Sequence, residues 1–219
     1  MRLLASAALI GCPLLVLAQG DPAADALGAL EARLLASPHV RVEASLQATG
    51  AVQASLQGVT DLRERNRLDV RYAGTFAGKP VTVSVVSDGR VLETRVNGRT
   101  QSGATGPESN RAVLLGLTRM GLLHNLARAT GSAGPDHANG DVAGWIALDN
   151  FRPATIAQSG EMAGVLALGF DLLVDKQFAA SARLWLDPDS GLPRRREQTV
   201  AFPEGEMKVV EIYTRFQVD

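Results

Sequence analysis

The chain has 219 residues, a formal net charge of −1 and a single cysteine. So even a balance, with no basic run, excludes a nucleic-acid partner, because neutralising a phosphate backbone takes clustered cations. Aromatic residues make up only 5%, too few for a platform on which bases could stack.

Met1 to Ala18 reads as a signal peptide. Arg2 supplies the positive n-region, Leu3 to Leu17 the apolar h-region, and Val16, Leu17 and Ala18 a cleavage site before Gln19. A membrane-spanning helix needs roughly 20 apolar residues, and this stretch ends at Gly20, Asp21 and Pro22. The expectation is therefore a single domain over 19–219, periplasmic or otherwise extracytoplasmic, with no transmembrane span. Cys12, after Leu9, Ile10 and Gly11, resembles a lipidation box, but the apolar run continues past it from Leu14 to Leu17. Cleavage after Ala18 outweighs lipid anchoring at Cys12, removes the only cysteine and leaves stability to burial alone.

Asp21 and Pro22 form a helix start, a capping carboxylate followed by proline at the first helical position. Leu27, Leu30 and Leu34 then recur at helical spacing, and Ser37 and Pro38 end the run. Val40, Val42, Ala44, Leu46 and Ala48 alternate with polar residues, as in a strand with one buried face. Further strands are expected over Ala51 to Thr60, around Leu68, Val70 and Tyr72, from Val81, and from Val91 to Asn97, with Asp88 and Gly89 reversing the chain between the last two. The turn before Val81 falls within Ala73 to Pro80. Gly98 to Asn110 has no strand or helix period and reads as a polar loop, with Ser109 a candidate cap. Arg111 to Arg128 reads as one helix with Gly131 as its stop, Thr130 to Gly144 as an irregular loop, and Trp145 to Phe151 and Ala154 to Ala157 as short strands.

From Gly164 the pattern is an up-and-down meander. Leu166, Leu168, Phe170, Leu172 and Val174 share one strand face; Ala180, Ala182, Leu184 and Leu186 share the next. Asp187, Pro188, Asp189, Ser190 and Gly191 reverse the chain into Arg194 to Phe202, and 203–206 turn it into Met207 to Val218. A helix, a meander, a long apolar helix and a second meander, with Trp185, Leu186, Asp187 and Pro188 before Gly191, Leu192, Pro193 and Arg194, resembles the LolA/LolB-like superfamily of bacterial lipoprotein-sorting carriers. The resemblance implies an α+β fold, an antiparallel half-open β-barrel of about 9–11 strands whose concave face is covered by helices and takes up acyl chains.

On a helical wheel, Val113, Leu117, Met120 and Ala127 form one apolar stripe of the 111–128 helix, and Leu115, Leu122 and Leu126 a second on the opposite side. Leu114 and Leu123 lie between. A sheet covers only one side, and three leucines left in water forgo about 1.5–3 kcal/mol each. The second stripe therefore needs the first helix and loop, an apolar ligand, or another protein. The candidate binding residues are Val113, Leu114, Leu115, Leu117, Met120, Leu122, Leu123 and Leu126. Gly116 and Gly121 weaken this helix, which suits either a lid that shifts or close packing.

No chemistry-bearing constellation emerges. His39, His124 and His137 have no zinc-site spacing, and Asp136 with His137 lacks a nucleophile elbow. Asp187 and Asp189 resemble part of a calcium loop without its closing glutamate. Arg194 to Arg196 alternate sides of a strand. The expectation is a non-enzymatic binding protein without metal or cofactor that carries or senses a lipid or other amphiphile, lipoprotein acyl chains included, in an apolar cavity. The alternative is an envelope regulatory or assembly subunit of the same fold that docks a protein partner through the apolar helix.

Overall fold

The computed structural model describes residues 21–130, 142–156, 162–203 and 205–219. Residues 1–20, which hold the expected signal peptide and Cys12, and Gly131, Asp136 and His137 lie outside the described residues. Helix α1 (Pro22–Ala36) begins as its sequence predicts: the Asp21 carboxylate accepts the Ala23 amide at 2.9 Å, and Leu27, Leu30 and Leu34 are buried.

Strands β1 (His39–Gly50), β2 (Ala54–Arg63), β3 (Arg67–Phe76), β4 (Lys79–Asp88), β5 (Val91–Val96) and β6 (Arg99–Ala104) form the first meander. Strands β7 (Ile146–Ile156), β8 (Leu166–Val174), β9 (Gln177–Leu186), β10 (Pro193–Phe202) and β11 (Gly205–Val218) form the second. Antiparallel pairing of β1 with β11 fuses them into one 11-stranded sheet, ordered β6-β5-β4-β3-β2-β1-β11-β10-β9-β8-β7. Strands β6 and β7 stay unpaired with each other, so the barrel is half open. The chain must therefore cross from one edge of the sheet to the other between them, and the remaining helices do this: α2 (Ser109–Arg119), α3 (Leu122–Ala129) and the short α4 (Val142–Trp145).

One continuous core lies between the sheet and the helices, joining Leu27 and Leu34 of α1 to Val42, Leu46, Leu168 and Phe170 of the strands. In β1 the alternation is as expected, with Val40, Val42, Ala44, Leu46 and Ala48 all inside. Near the end of β11 an extra residue, Thr214, bulges between the partners of Ala44 and Glu43. The bulge moves the inward parity from Tyr213 to Phe216 and Val218.

Several expectations need correction. Arg99 to Ala104 is a strand, not loop; among the described residues it is the sheet edge, pairs only with β5, and exposes every residue, so it has no burial alternation to read. The turn between β3 and β4 shrinks to Ala77 and Gly78, and β2 starts three residues later than expected. The two short strands after Trp145 are one edge strand, β7, with register shifts between Asp149 and Arg152 and between Arg152 and Thr155. Ser109 does not cap α2. Its hydroxyl donates to the Gly106 carbonyl, while the Asn66 side chain accepts the Asn110 amide from the β2–β3 turn.

One further correction bears on the site: Arg111 to Arg128 is two helices. The Met120 and Gly121 amides both donate to the Gly116 carbonyl at 2.8 Å, and Gly121 turns at φ +87°. That is how glycine ends a helix, and an apolar run through Leu122 and Leu123 hides it. A single wheel through the break superimposes faces that do not share an axis.

Candidate ligand-binding pocket

The corner between α2 and α3 is fastened to the sheet by two buried charges. Arg196 of β10 and Glu211 of β11 are direct cross-strand partners, each 1% exposed. The Arg196 guanidinium donates to the Thr118 carbonyl at 2.6 Å and to the Arg119 carbonyl at 2.5 Å, at the negative end of α2. The Glu211 carboxylate accepts the Leu122 amide at 2.6 Å, at the positive end of α3, and the Tyr213 hydroxyl at 2.6 Å. Burial pushes the Glu211 carboxyl up and the Arg196 guanidinium down, and their mutual attraction opposes both shifts. A side chain at residue 121 would collide with this arrangement, since a Cβ there lies 2.5 Å from Glu211 Oε1.

Helix α2 is also strapped to α1. Glu31 takes hydrogen bonds from Arg119 at 2.8 and 2.9 Å and from the Thr118 hydroxyl at 2.8 Å. Helix α3 folds back on α2 so closely that a Cβ at Gly116 would sit 2.1 Å from Asn125 Oδ1. The glycines thus serve close packing at a pinned corner, and the far end of α3, around Arg128 and Ala129, is left as a rim.

Beneath that rim lies an apolar cavity of about 200 Å³, open to solvent on one side. Its floor is the concave face of β3 to β5, with Leu68, Val70, Val85 and Leu92; its roof is Ala112 and Val113 of α2 and Leu122, Leu126 and Ala129 of α3. The polar lining residues are Thr60, Tyr72, Thr94, Ser109, Asn125 and Arg128. The Tyr72 hydroxyl lies 3.4 Å from that of Thr60, and burial pushes the Tyr72 phenol up, so it stays neutral. Arg128 lines the pocket at the end of α3.

Of the candidate residues, Val113, Leu122 and Leu126 line this pocket. Leu115 and Leu117 are 3% and 2% exposed within the core, and Leu114 is buried on the side toward α1. Met120 and Leu123 are half-buried against the core. Leu115 and Leu117 are thus covered from within, whereas Leu122 and Leu126 form part of the pocket roof. The floor residues Leu68, Val70, Val85 and Leu92, and Arg128 on the roof, escaped the helix-centred reading. Inward parity on β3 and β4 was the available signal for Leu68, Val70 and Val85.

The other motifs resolve as structure. Asp187 Oδ1 accepts the Asp189 and Ser190 amides and the Ser190 hydroxyl, a plain turn completed by Gly191 at φ +67°. His39 pairs with Asp219 and Asp61 at the start of β1. Among the described residues, no group of His, Cys, Asp and Glu could hold a metal ion, and no helix is long and apolar enough to cross a membrane.

No protein-family model and no curated protein matches the sequence. Among solved structures, the chain is similar to MucB at 16% identity and TM-score 0.39, over 89% of this chain and 58% of that one. It is also similar to a LolA superfamily protein from Nitrosomonas europaea (10% identity, TM-score 0.45, covering 90% and 93% of the two chains). A third is LprF from Mycobacterium bovis (11% identity, TM-score 0.41, covering 89% and 92%). The chain spans less than two thirds of the length of MucB.

Proposed function

We propose that this protein is a non-enzymatic, extracytoplasmic binding protein that holds the apolar end of an amphiphile between β3–β5 and the α2–α3 corner. The observation that supports this is the pocket itself: an apolar hollow at the half-barrel mouth that the chain's own side chains leave unfilled and open on one side. Docking of a protein through the apolar helix is less well supported, because none of the large exposed apolar residues among the described ones, such as Phe76, Ile156 and Phe178, lies on α2 or α3.

The size of the hollow sets the mode of binding. At about 30 Å³ for a water-sized group, it takes roughly six or seven such groups, a segment of an acyl chain rather than a whole one. Burying six methylenes at about 0.8 kcal/mol each contributes about 5 kcal/mol, which corresponds to a dissociation constant of order 0.2 mM. Lost freedom on association weakens this further. Useful affinity therefore requires a contact outside the apolar pocket or a longer run of chain along the open face.

Solvent extraction and mass spectrometry of protein purified from its own cell envelope test the reading. A co-purifying acyl-bearing molecule is the expected result. A lipid-free protein that also fails to take up the methyl ester of 11-(dansylamino)undecanoic acid would overturn it.

A further inference from the structure

Resting on the pocket reading above, we infer that the ligand is an anionic amphiphile whose carboxylate or phosphate head is taken by Arg128 while its chain lies over Val70, Val85 and Leu126. Arg128 closes the rim of the apolar pocket, and among the described residues its guanidinium has no hydrogen bond or ion pair. Every other described arginine withdrawn from solvent is engaged. Arg41 bonds Glu43 and Asp61, Arg119 bonds Glu31, Arg152 bonds Asp171, Arg195 bonds Glu197, and Arg196 bonds main-chain carbonyls.

The cost of this exception is visible in its chemistry. Burial alone acts on Arg128 and lowers its pKa, whereas Arg119, about as withdrawn but facing Glu31, is raised. A half-buried guanidinium without an acceptor is poorly solvated, and a fork of donors beside an apolar hollow matches a carboxylate or phosphate monoester. Its place at the last turn of α3 adds a reason for a cation there, since helix C-termini favour positive charge. That accounts for the sign of the residue but leaves its donors without an acceptor among the described residues.

The test compares 11-(dansylamino)undecanoic acid with its methyl ester on the purified protein, with dodecyl phosphate as a competitor. A charge-assisted hydrogen bond to the head predicts that the acid binds about tenfold more tightly than the ester. In Arg128→Gln the ratio should fall to near one; in Arg99→Gln, an exposed arginine on β6, it should stay as in the wild type. Competition by dodecyl phosphate that exceeds that of dodecanoate, and is lost in Arg128→Gln, assigns the head as phosphate; the reverse order assigns it as carboxylate. Equal binding of acid and ester by the wild type, with both saturable, overturns the head-group inference and leaves the pocket standing. A ratio that survives Arg128→Gln also overturns it. Failure of acid and ester alike overturns the pocket reading together with this one.

Discussion

Arg196 and Glu211, cross-strand partners at the floor of the sheet, cap opposite helix ends at one corner: the guanidinium takes the last carbonyls of α2, and the carboxylate takes the first amide of α3. A buried ion pair contributes little net stability when complete, but removing one partner leaves the other uncompensated at about 3–5 kcal/mol. Arg196→Met should cost about that much and Glu211→Leu a similar amount. The double variant should cost much less than the two together, and urea unfolding of all four proteins measures the coupling.

Gly121→Ala should destabilise by about 1–3 kcal/mol, from a left-handed backbone combined with a methyl group pressed on Glu211. Gly28→Ala, in α1 with nothing within 4 Å of an added Cβ, should instead stabilise by about 0.5–1 kcal/mol. Thermal melts of the two variants give shifts of opposite sign.

Much of this architecture is legible in the sequence. The Asp21 cap, the Leu27, Leu30 and Leu34 stripe and the second meander follow from periodicity, because each buries one clean face. The buried ion pair is legible in hindsight: Glu211 sits at inward parity with Met207 and Val209, where a carboxylate demands a partner. The helix break at Gly121 is not, because Leu122 and Leu123 continue the apolar run and the reason to stop lies on two distant strands. Nor is β6, whose exposed residues carry no alternation, or the Thr214 bulge, which changes parity late in β11. The pocket floor was missed because a helix wheel says nothing about the sheet beneath it.

Asp61 and Asp171 predict loss of stability in acid. Burial raises both carboxyls, but Arg63 and Arg41 at Asp61, and Ser181, Arg152 and Asn150 at Asp171, outweigh it and hold both below the ordinary aspartate value. A depressed folded pKa means that the unfolded chain binds more protons. The stabilisation is therefore complete above an unfolded value of about 3.9 and is lost as pH falls through the folded values. Glu211, raised by burial, runs the other way and loses its contribution as pH rises through its folded value. Urea midpoints from about pH 6 down to pH 3 should fall at the acid end, and fall less in Asp171→Asn, which isolates one carboxyl from the rest.

Asp21→Ala should cost about 1 kcal/mol by leaving the Ala23 amide of α1 without its acceptor. Because α1 packs on the core far from the pocket rim, the melting temperature should drop while ester affinity holds. Equilibrium titration of the variant beside its thermal melt checks both halves.

The most direct measurement is fluorescence titration of the uncharged dansyl methyl ester into the wild type and into Ala129→Phe, which places a ring in the hollow from its solvent-side rim. Saturable, blue-shifted uptake by the wild type, abolished in a variant that melts as the wild type does, is the predicted result. No saturable uptake by the wild type, or undiminished uptake by the filled variant, would contradict an acyl-binding pocket between β3–β5 and the α2–α3 corner.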